Sequence, residues 1–250
     1  MTGRIPENLR INADDFGLSP AISRAILQAA RAGLINSFSV VPFADEENGR
    51  LLEAAARLPG MRVGAHLSFI EVPLLTRPPG FPEGAPPANH RAFVKAWLRG
   101  RVTAAVVRSE WAAQLDWLQN RLADPQAIHH LDSHQHVHLL PGLWAVARDL
   151  QRARGIPRLR CPAETSLRAW GKDFPLGAGL QILSFPRRRR EQERFWGVGT
   201  SMAFRAEAHQ ELARQIRAFP ERCFELMVHP GGDSRGQQEL AELDRWLKQL

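Results

Sequence analysis

Tyrosine is absent from this 250-residue chain, and cysteine occurs twice, at Cys161 and Cys223. The two cysteines lie far apart and form no CxxC pair, so neither a disulfide framework nor a cysteine zinc site is implied. No long apolar run is present, and no membrane span is expected. Met1 to Arg10 is polar and charged, without a signal-like apolar segment, which makes a cytoplasmic location the expectation. The formal charge of +7 raises the question of an acidic partner. Arginine supplies most of it, and the densest run, Arg187-Arg188-Arg189-Arg190 beside Pro186, reads as a solvated loop rather than a binding groove. With no tyrosine and no aromatics interleaved in that run, the stacking platform of a single-strand binder is missing. Nucleic acid is not an expected partner.

What the chain has in quantity is histidine, concentrated in one place. The stretch His129-His130-Leu131-Asp132-Ser133-His134-Gln135-His136-Val137-His138 holds five of the nine histidines and one carboxylate. On a strand, His134, His136 and His138 share a face. On a helix or tight turn, His134 and His138 meet as an i, i+4 pair instead. Either geometry offers imidazole nitrogens to one metal ion, and imidazole suits zinc, nickel and iron.

The surrounding pattern alternates strands and helices. Leu9 to Ala13 reads as a strand ending in Asp14-Asp15-Phe16-Gly17. Ser19-Pro20 then supplies an N-cap and a first-turn proline for a helix that stops near Gly33. A strand over Ser37 to Phe43, a helix over Glu46 to Leu58 and a strand over Met61 to Leu67 follow. This order favours a parallel sheet with covering helices. Glu71 to Asn89 is proline-rich and without periodicity, an irregular loop placed to act as a rim or lid. A helix over Thr103 to Leu122 carries the core stripe Val107, Trp111, Leu115, Leu118 and Leu122. Ala127 to Leu131 delivers the histidine cluster, a helix spans Leu143 to Arg154, and Arg158 to Cys161 is a short strand. Gly171 to Phe195 has no clear pattern. A helix over Ala206 to Phe219, a strand over Cys223 to Val228 and a helix burying Leu240, Leu243, Leu247 and Leu250 complete the chain. No repeat or domain boundary is visible, so 1–250 is expected to be a single domain.

Asp14, Asp15, His66, His134 and His229 all fall at or just after the ends of expected strands. In parallel α/β barrels that rim is where active sites form. The two adjacent aspartates suit a division of labour, one holding a metal and the other taking a proton from the water it acidifies. The alternative is that both merely cap the following helix, a task for which Ser19 is a rival. An aspartate with two histidines makes a three-ligand set that leaves positions open for water and substrate. His229 has the side-chain type best placed to protonate a leaving group.

These residues carry a resemblance. Asn12-Ala13-Asp14-Asp15-Phe16-Gly17-Leu18-Ser19, Gly64-Ala65-His66-Leu67 and His130 through His138 resemble motifs of the YdjC-type carbohydrate deacetylase family, whose named members include chitooligosaccharide deacetylases. Arg160 with Glu164, and Glu225-Leu226-Met227-Val228-His229-Pro230-Gly231, match further blocks in the same order. The resemblance implies a distorted (β/α) barrel, TIM-barrel-like, with one divalent metal ion, magnesium or zinc, held by Asp15, His66 and His134. It also implies Asp14 as general base, His229 as general acid, and Arg160 orienting the base by a charge-assisted hydrogen bond. His136 is expected to orient a ligand from behind, and His138 to be structural or a spare ligand. The chain departs from the family pattern at Ser68, where many relatives carry asparagine, and in the Glu71 to Asn89 loop. Both regions are expected to touch substrate.

The expected activity is metal-dependent removal of an N-acetyl group from an amino sugar or oligosaccharide, releasing acetate. A lipid-linked form of that substrate and a homodimeric assembly both stay open. A phosphoester hydrolase and a non-catalytic sugar- or metal-binding homologue are the alternatives. The first would need more carboxylates than are in view for a two-metal site, and the second would need neither a base nor an acid.

Overall fold

The structure is a computed structural model that describes residues 5–81, 84–124, 126–164, 182–184, 194–198, 206–231 and 233–250. The arginine run at 187–190 lies outside the described residues. Seven strands form one sheet: β1 (Leu9–Phe16), β2 (Ser37–Val40), β3 (Arg62–Leu67), β4 (Ile128–Ser133), β5 (Arg158–Leu159), β6 (Arg194–Trp196) and β7 (Phe224–Val228). Their order is β5-β4-β3-β2-β1-β7-β6, and every pairing is parallel. The helices are α1 (Pro20–Arg31), α2 (Glu46–Ala56), α3 (His90–Leu98), α4 (Ala104–Gln119), α5 (Leu143–Ala153), α6 (Ala206–Ala218) and α7 (Ser234–Leu247). The result is the expected α/β class, a curled, TIM-barrel-like sheet of parallel strands alternating with helices. One parallel bridge, Glu164 to Phe195, joins the chain just beyond β5 to β6 on the opposite edge. Among the described residues this bridge is what joins the two edges of the curled sheet.

Strand periodicity sorts the two faces of this sheet. Ile11, Phe38, Val63, Ala65, Leu131 and Leu226 are buried on the outer face, against the helices. The stripe Val107, Trp111, Leu115 and Leu118 of α4 is buried as expected. The inner face is instead polar: Asn12, Asp14, Ser39, His66, Asp132 and Arg160 are all buried there. TIM-barrel interiors are ordinarily filled by branched apolar residues, so this interior is held by ion pairs and hydrogen bonds.

Several boundaries differ from the sequence-based expectation. β1 runs on through Asp14 and Asp15 to Phe16, and β4 extends to Ser133, taking Asp132 into the sheet. β2 stops at Val40. Helix α3 was not expected: Phe93 is its one buried residue, so the apolar period is too faint to read. β6 lies in the stretch without clear pattern. In α7, Leu243, Trp246 and Leu247 are buried, whereas Leu240 and, beyond the helix, Leu250 only pack against the core's edge.

Gly64 on β3 pairs with His130 on β4, and the imidazole lies across the glycine. A Cβ added at Gly64 would stand 2.1 Å from His130 Nε2. β3 and β4 are each paired on both sides and His130 is buried, so the ring has little room to give way. Gly64→Ala should therefore cost about 1–3 kcal/mol by overpacking, read as a lowered urea midpoint. An unchanged midpoint would show that the His130 ring relocates freely.

Candidate metal centre and active site

The site grows from an irregularity in β1. Between Ala13 and Phe16 the register against β2 shifts, so β1 carries one extra residue, a β-bulge. Asp15 occupies it with φ 71°, a left-handed conformation that non-glycine residues rarely adopt. On a regular strand Asp14 and Asp15 would point to opposite faces; the bulge re-aims Asp15 so that both reach the same pocket. Neither is needed as a cap, because Ser19 caps α1, accepting from the Ile22 N–H.

Asp15 Oδ1 lies 2.8 Å from His134 Nδ1 and 3.2 Å from His66 Nε2. The two rings meet edge to face, 5.6 Å apart. The ligand atoms of Asp15, His66 and His134 all fall within 4.8 Å of one another. Donors bound to one zinc at ~2.0–2.1 Å would be roughly 3.3 Å apart in a tetrahedral site, so this set fits one divalent ion. Behind His66, Asp132 Oδ1 accepts from Nδ1 at 2.7 Å. That bond keeps a proton on Nδ1, so that Nε2, when it gives up its own proton, turns a lone pair toward the cluster. Burial alone would lower the His66 pKa, but Asp132 and Asp14 push it up to about 10. The field at this point favours positive charge.

Asp14 is a different kind of carboxylate. Arg160 clamps it from two sides, Nη1 to Oδ2 at 2.7 Å and Nη2 to Oδ1 at 2.8 Å. Asn12 Nδ2 donates to Oδ1 at 2.7 Å, and Ser39 Oγ does so at 3.2 Å. Burial would raise its pKa; Arg160 and then His66 overcome that and hold it below the ordinary carboxylate range. Arg160 also donates from Nε to Glu225 Oε1 at 2.7 Å, and its Nη1 stands 2.8 Å from Asp132 Oδ2 as an ion-pair contact. Asp14, His66 and Asp132 form a second group with metal-binding residue types. There the compensating cation is Arg160.

The histidine run adopts neither anticipated geometry. β4 ends at Ser133 and a 3-10 turn, His134–Leu139, follows, with Gln135 and His136 left-handed at φ 50° and 55°. This kink turns His134 into the cluster and sends its neighbours elsewhere. His138 accepts from Ser133 Oγ at 2.5 Å through Nδ1, donates from Nε2 to the Arg160 carbonyl at 3.0 Å, and stacks on Trp144. Both ring nitrogens are thus engaged within the fold, as suits the structural role expected of it, and burial lowers its pKa to about 4. His136 packs edge-on against His138 and Phe195, and its Nδ1 has no hydrogen-bond partner among the described residues.

His229 follows β7, and the Ala13–Val228 pairing sets it beside Asp14 at the same rim. Its backbone N–H donates to Glu239 Oε2 at 2.8 Å. Ser68 is fully buried; its N–H donates to Gln114 Oε1, and its Oγ donates to the Ile70 carbonyl. Sequence reasoning assigned no task to Asp132, Glu225 or Glu71. The alternation His130, Asp132, His134 was the available signal for the first. For Glu71, whose Oε2 lies 3.0 Å from His134 Nε2, there was none. Beside Glu71 a cleft of about 240 Å³ opens, lined by Gly17, Leu18, Phe43 and Leu75.

Arg160 is the one cation facing Asp14, Asp132 and Glu225 together among these contacts. Arg160→Met should leave buried carboxylates uncompensated and cost about 3–5 kcal/mol. Arg160→Lys should recover part of this, since an ammonium restores charge without the fork. Equilibrium urea unfolding measures both, and a loss near zero for Arg160→Met would remove the residue from the fold's electrostatic core.

A family model described as YdjC-like protein matches residues 8–248. A Mus musculus protein named carbohydrate deacetylase is 30% identical over 258 residues, covering 89% of this chain and 77% of that protein. A chitooligosaccharide deacetylase of Serratia marcescens is 29% identical over 171 residues, 64% of this chain and 61% of the relative. The match to the Homo sapiens carbohydrate deacetylase, at 32% identity, spans 62% of this chain and about half of the relative, 49%. A crystal structure from Enterococcus faecalis, of a candidate cellobiose-phosphate cleavage protein, superposes with a TM-score of 0.63 over 96% of both chains at 20% identity, a likeness of fold alone. With the motif residues of β1, β3, β4 and β7 gathered at one rim and the family model spanning nearly the whole chain, this protein belongs to the YdjC-like family.

Proposed function

We propose that this chain is a cytoplasmic, metal-dependent hydrolase that removes an N-acetyl group from an amino sugar or oligosaccharide, releasing acetate, and that 1–250 acts as one YdjC-like deacetylase domain. The observation that carries the reading is the separation of roles between neighbouring aspartates. Asp15 faces His66 and His134, whereas Asp14 is engaged by Arg160. Relatives named carbohydrate deacetylase supply the substrate class.

Asp15, His66 and His134 would hold the ion, magnesium or zinc. When bound, it supplies Lewis acidity, polarising the amide carbonyl and lowering the pKa of water toward ~7. Asp14 takes the proton from the attacking water. A carboxylate held ionised by Arg160 is a modest base, and it suits water already acidified. Arg160 keeps that carboxylate aimed and charged through its two-point contact. His229, at the same rim, gives a proton to the departing nitrogen. The apolar cleft beside Glu71 offers the sugar's carbon face a seat next to the reacting atoms. A two-metal phosphoesterase is disfavoured because Arg160 already neutralises the second acidic group.

Acetate release from a panel of N-acetylated sugars tests the activity, and elemental analysis tests the ligands. Asp15→Asn, His66→Ala and His134→Ala should each lower metal content. Asp14→Asn should keep the metal and lose ~10²–10⁴-fold in turnover, the usual worth of a general base. If Asp14→Asn lost metal while Asp15→Asn kept it, the two roles would have to be exchanged.

An amide nitrogen leaves poorly unless protonated, whereas an activated ester needs that proton much less. His229→Ala should accordingly reduce amide hydrolysis far more than hydrolysis of an activated acetate ester, at unchanged metal content. Equal losses on the two substrates would take His229 out of the mechanism.

A further inference from the structure

Glu71 opens the proline-rich segment and has an unusual backbone, with φ 62°. Its N–H donates to the Pro87 carbonyl at 3.2 Å, across the base of the loop. From there its carboxylate reaches the 3-10 turn. Oε2 lies 3.0 Å from His134 Nε2, and Oε1 accepts from Gln135 Nε2 at 2.8 Å. Neutral imidazole has one N–H and one lone pair. His134 turns Nδ1 toward Asp15, so Nδ1 can offer its lone pair to an ion only if Nε2 carries the proton. Glu71 is the acceptor for that proton. His66 has the converse arrangement, with Nδ1 on Asp132 and Nε2 facing Asp15. Each histidine thus has a carboxylate behind it, Asp132 from the sheet and Glu71 from a loop.

The loop is not left to itself. Glu110 on α4, fully buried, accepts from the N–H groups of Leu75 and Thr76 and from Thr76 Oγ1. Gln114, one turn on, donates to Glu110 and to the Ser68 carbonyl. An internal pair on α4 therefore anchors both the end of β3 and the segment from which Glu71 projects.

We propose that Glu71 is a positioning residue: by accepting the Nε2 proton it fixes the tautomer and ring orientation of His134, and so sets the metal affinity of the centre. This rests on the reading of Asp15, His66 and His134 as ligands. The test titrates the metal-free full chain with zinc by calorimetry, comparing wild type, Glu71→Ala and Glu71→Gln, with a thermal midpoint for each metal-free protein. Glu71→Ala should bind zinc ~10–100-fold more weakly at an unchanged midpoint. Glu71→Gln, whose amide oxygen still accepts from Nε2, should recover part of the loss. Unaltered zinc affinity in Glu71→Ala overturns the proposal, as does a loss that Gln and Ala share together with lowered midpoints, since Glu71 would then serve the fold. A wild-type chain that binds no zinc removes the ligand assignment as well, which separates the two failures.

Discussion

A guanidinium withdrawn from water is costly unless its charge is met in good geometry, and in this protein that requirement organises the barrel. Arg160 is 4% exposed and shared by Asp14 of β1, Asp132 of β4 and Glu225 of β7. Burial would lower its pKa; Asp132, Asp14 and Glu225 drive it well above the ordinary arginine value. Three strands from distant parts of the chain must therefore keep their register, because a slip of one residue would turn a carboxylate outward and leave charges unpaired. The backbone of Arg160 takes part too: its N–H continues the ladder to Leu131, and its carbonyl receives His138. Closure of the ring follows close behind, since Glu164 bridges to Phe195, whose ring lies 5.6 Å from the same guanidinium.

That hub makes two adjacent aspartates chemically unequal. Asp14 has both oxygens committed to donors, and Asp15 has its oxygen turned to imidazole nitrogens. The separation depends on one inserted residue in β1 and on a left-handed backbone at Asp15. Left-handed geometry recurs at Glu71, Gln135 and His136, all beside the same centre. Such conformations cost of order 1–3 kcal/mol each and persist where surrounding structure imposes them. Here the hydrogen bonds of Glu71 to His134 and Gln135 tie two of these left-handed residues, Glu71 and Gln135, to the His134 ring.

The five clustered histidines divide by environment. His129 is exposed and bonds the Ala127 carbonyl. His130 fills the space over Gly64, its pKa lowered by burial to about 4. His134 joins the candidate metal centre, His136 packs among aromatic rings, and His138 locks the turn to Arg160. One residue type occupies exposed, packed and candidate-ligand positions because the strand pleat, the kink and the turn send successive side chains in different directions.

Local pattern determined a great deal of this protein by itself. Apolar periodicity marks most strands and helices, the Ser19-Pro20 pair marks the start of α1, and strand ends coincide with Asp14, His66, His134 and His229. From these a parallel α/β sheet with its polar candidates at one rim was legible, because periodicity and capping depend on neighbours a few residues apart, while the barrel was implied by the family resemblance of the motifs. Tertiary structure alone decided the rest. Whether a carboxylate is a base, a ligand or a counter-ion depends on partners such as Arg160, 146 positions from Asp14, and on the bulge that aims Asp15. The place of Glu71 behind His134 depends on a loop held by Glu110 through contacts 34 and 35 positions apart. The tie between Ser68 and α4 has the same origin, since Gln114 bonds both its N–H and its carbonyl. Such roles are set by register and ring closure, which bring distant residues within hydrogen-bonding distance and leave no period in the sequence.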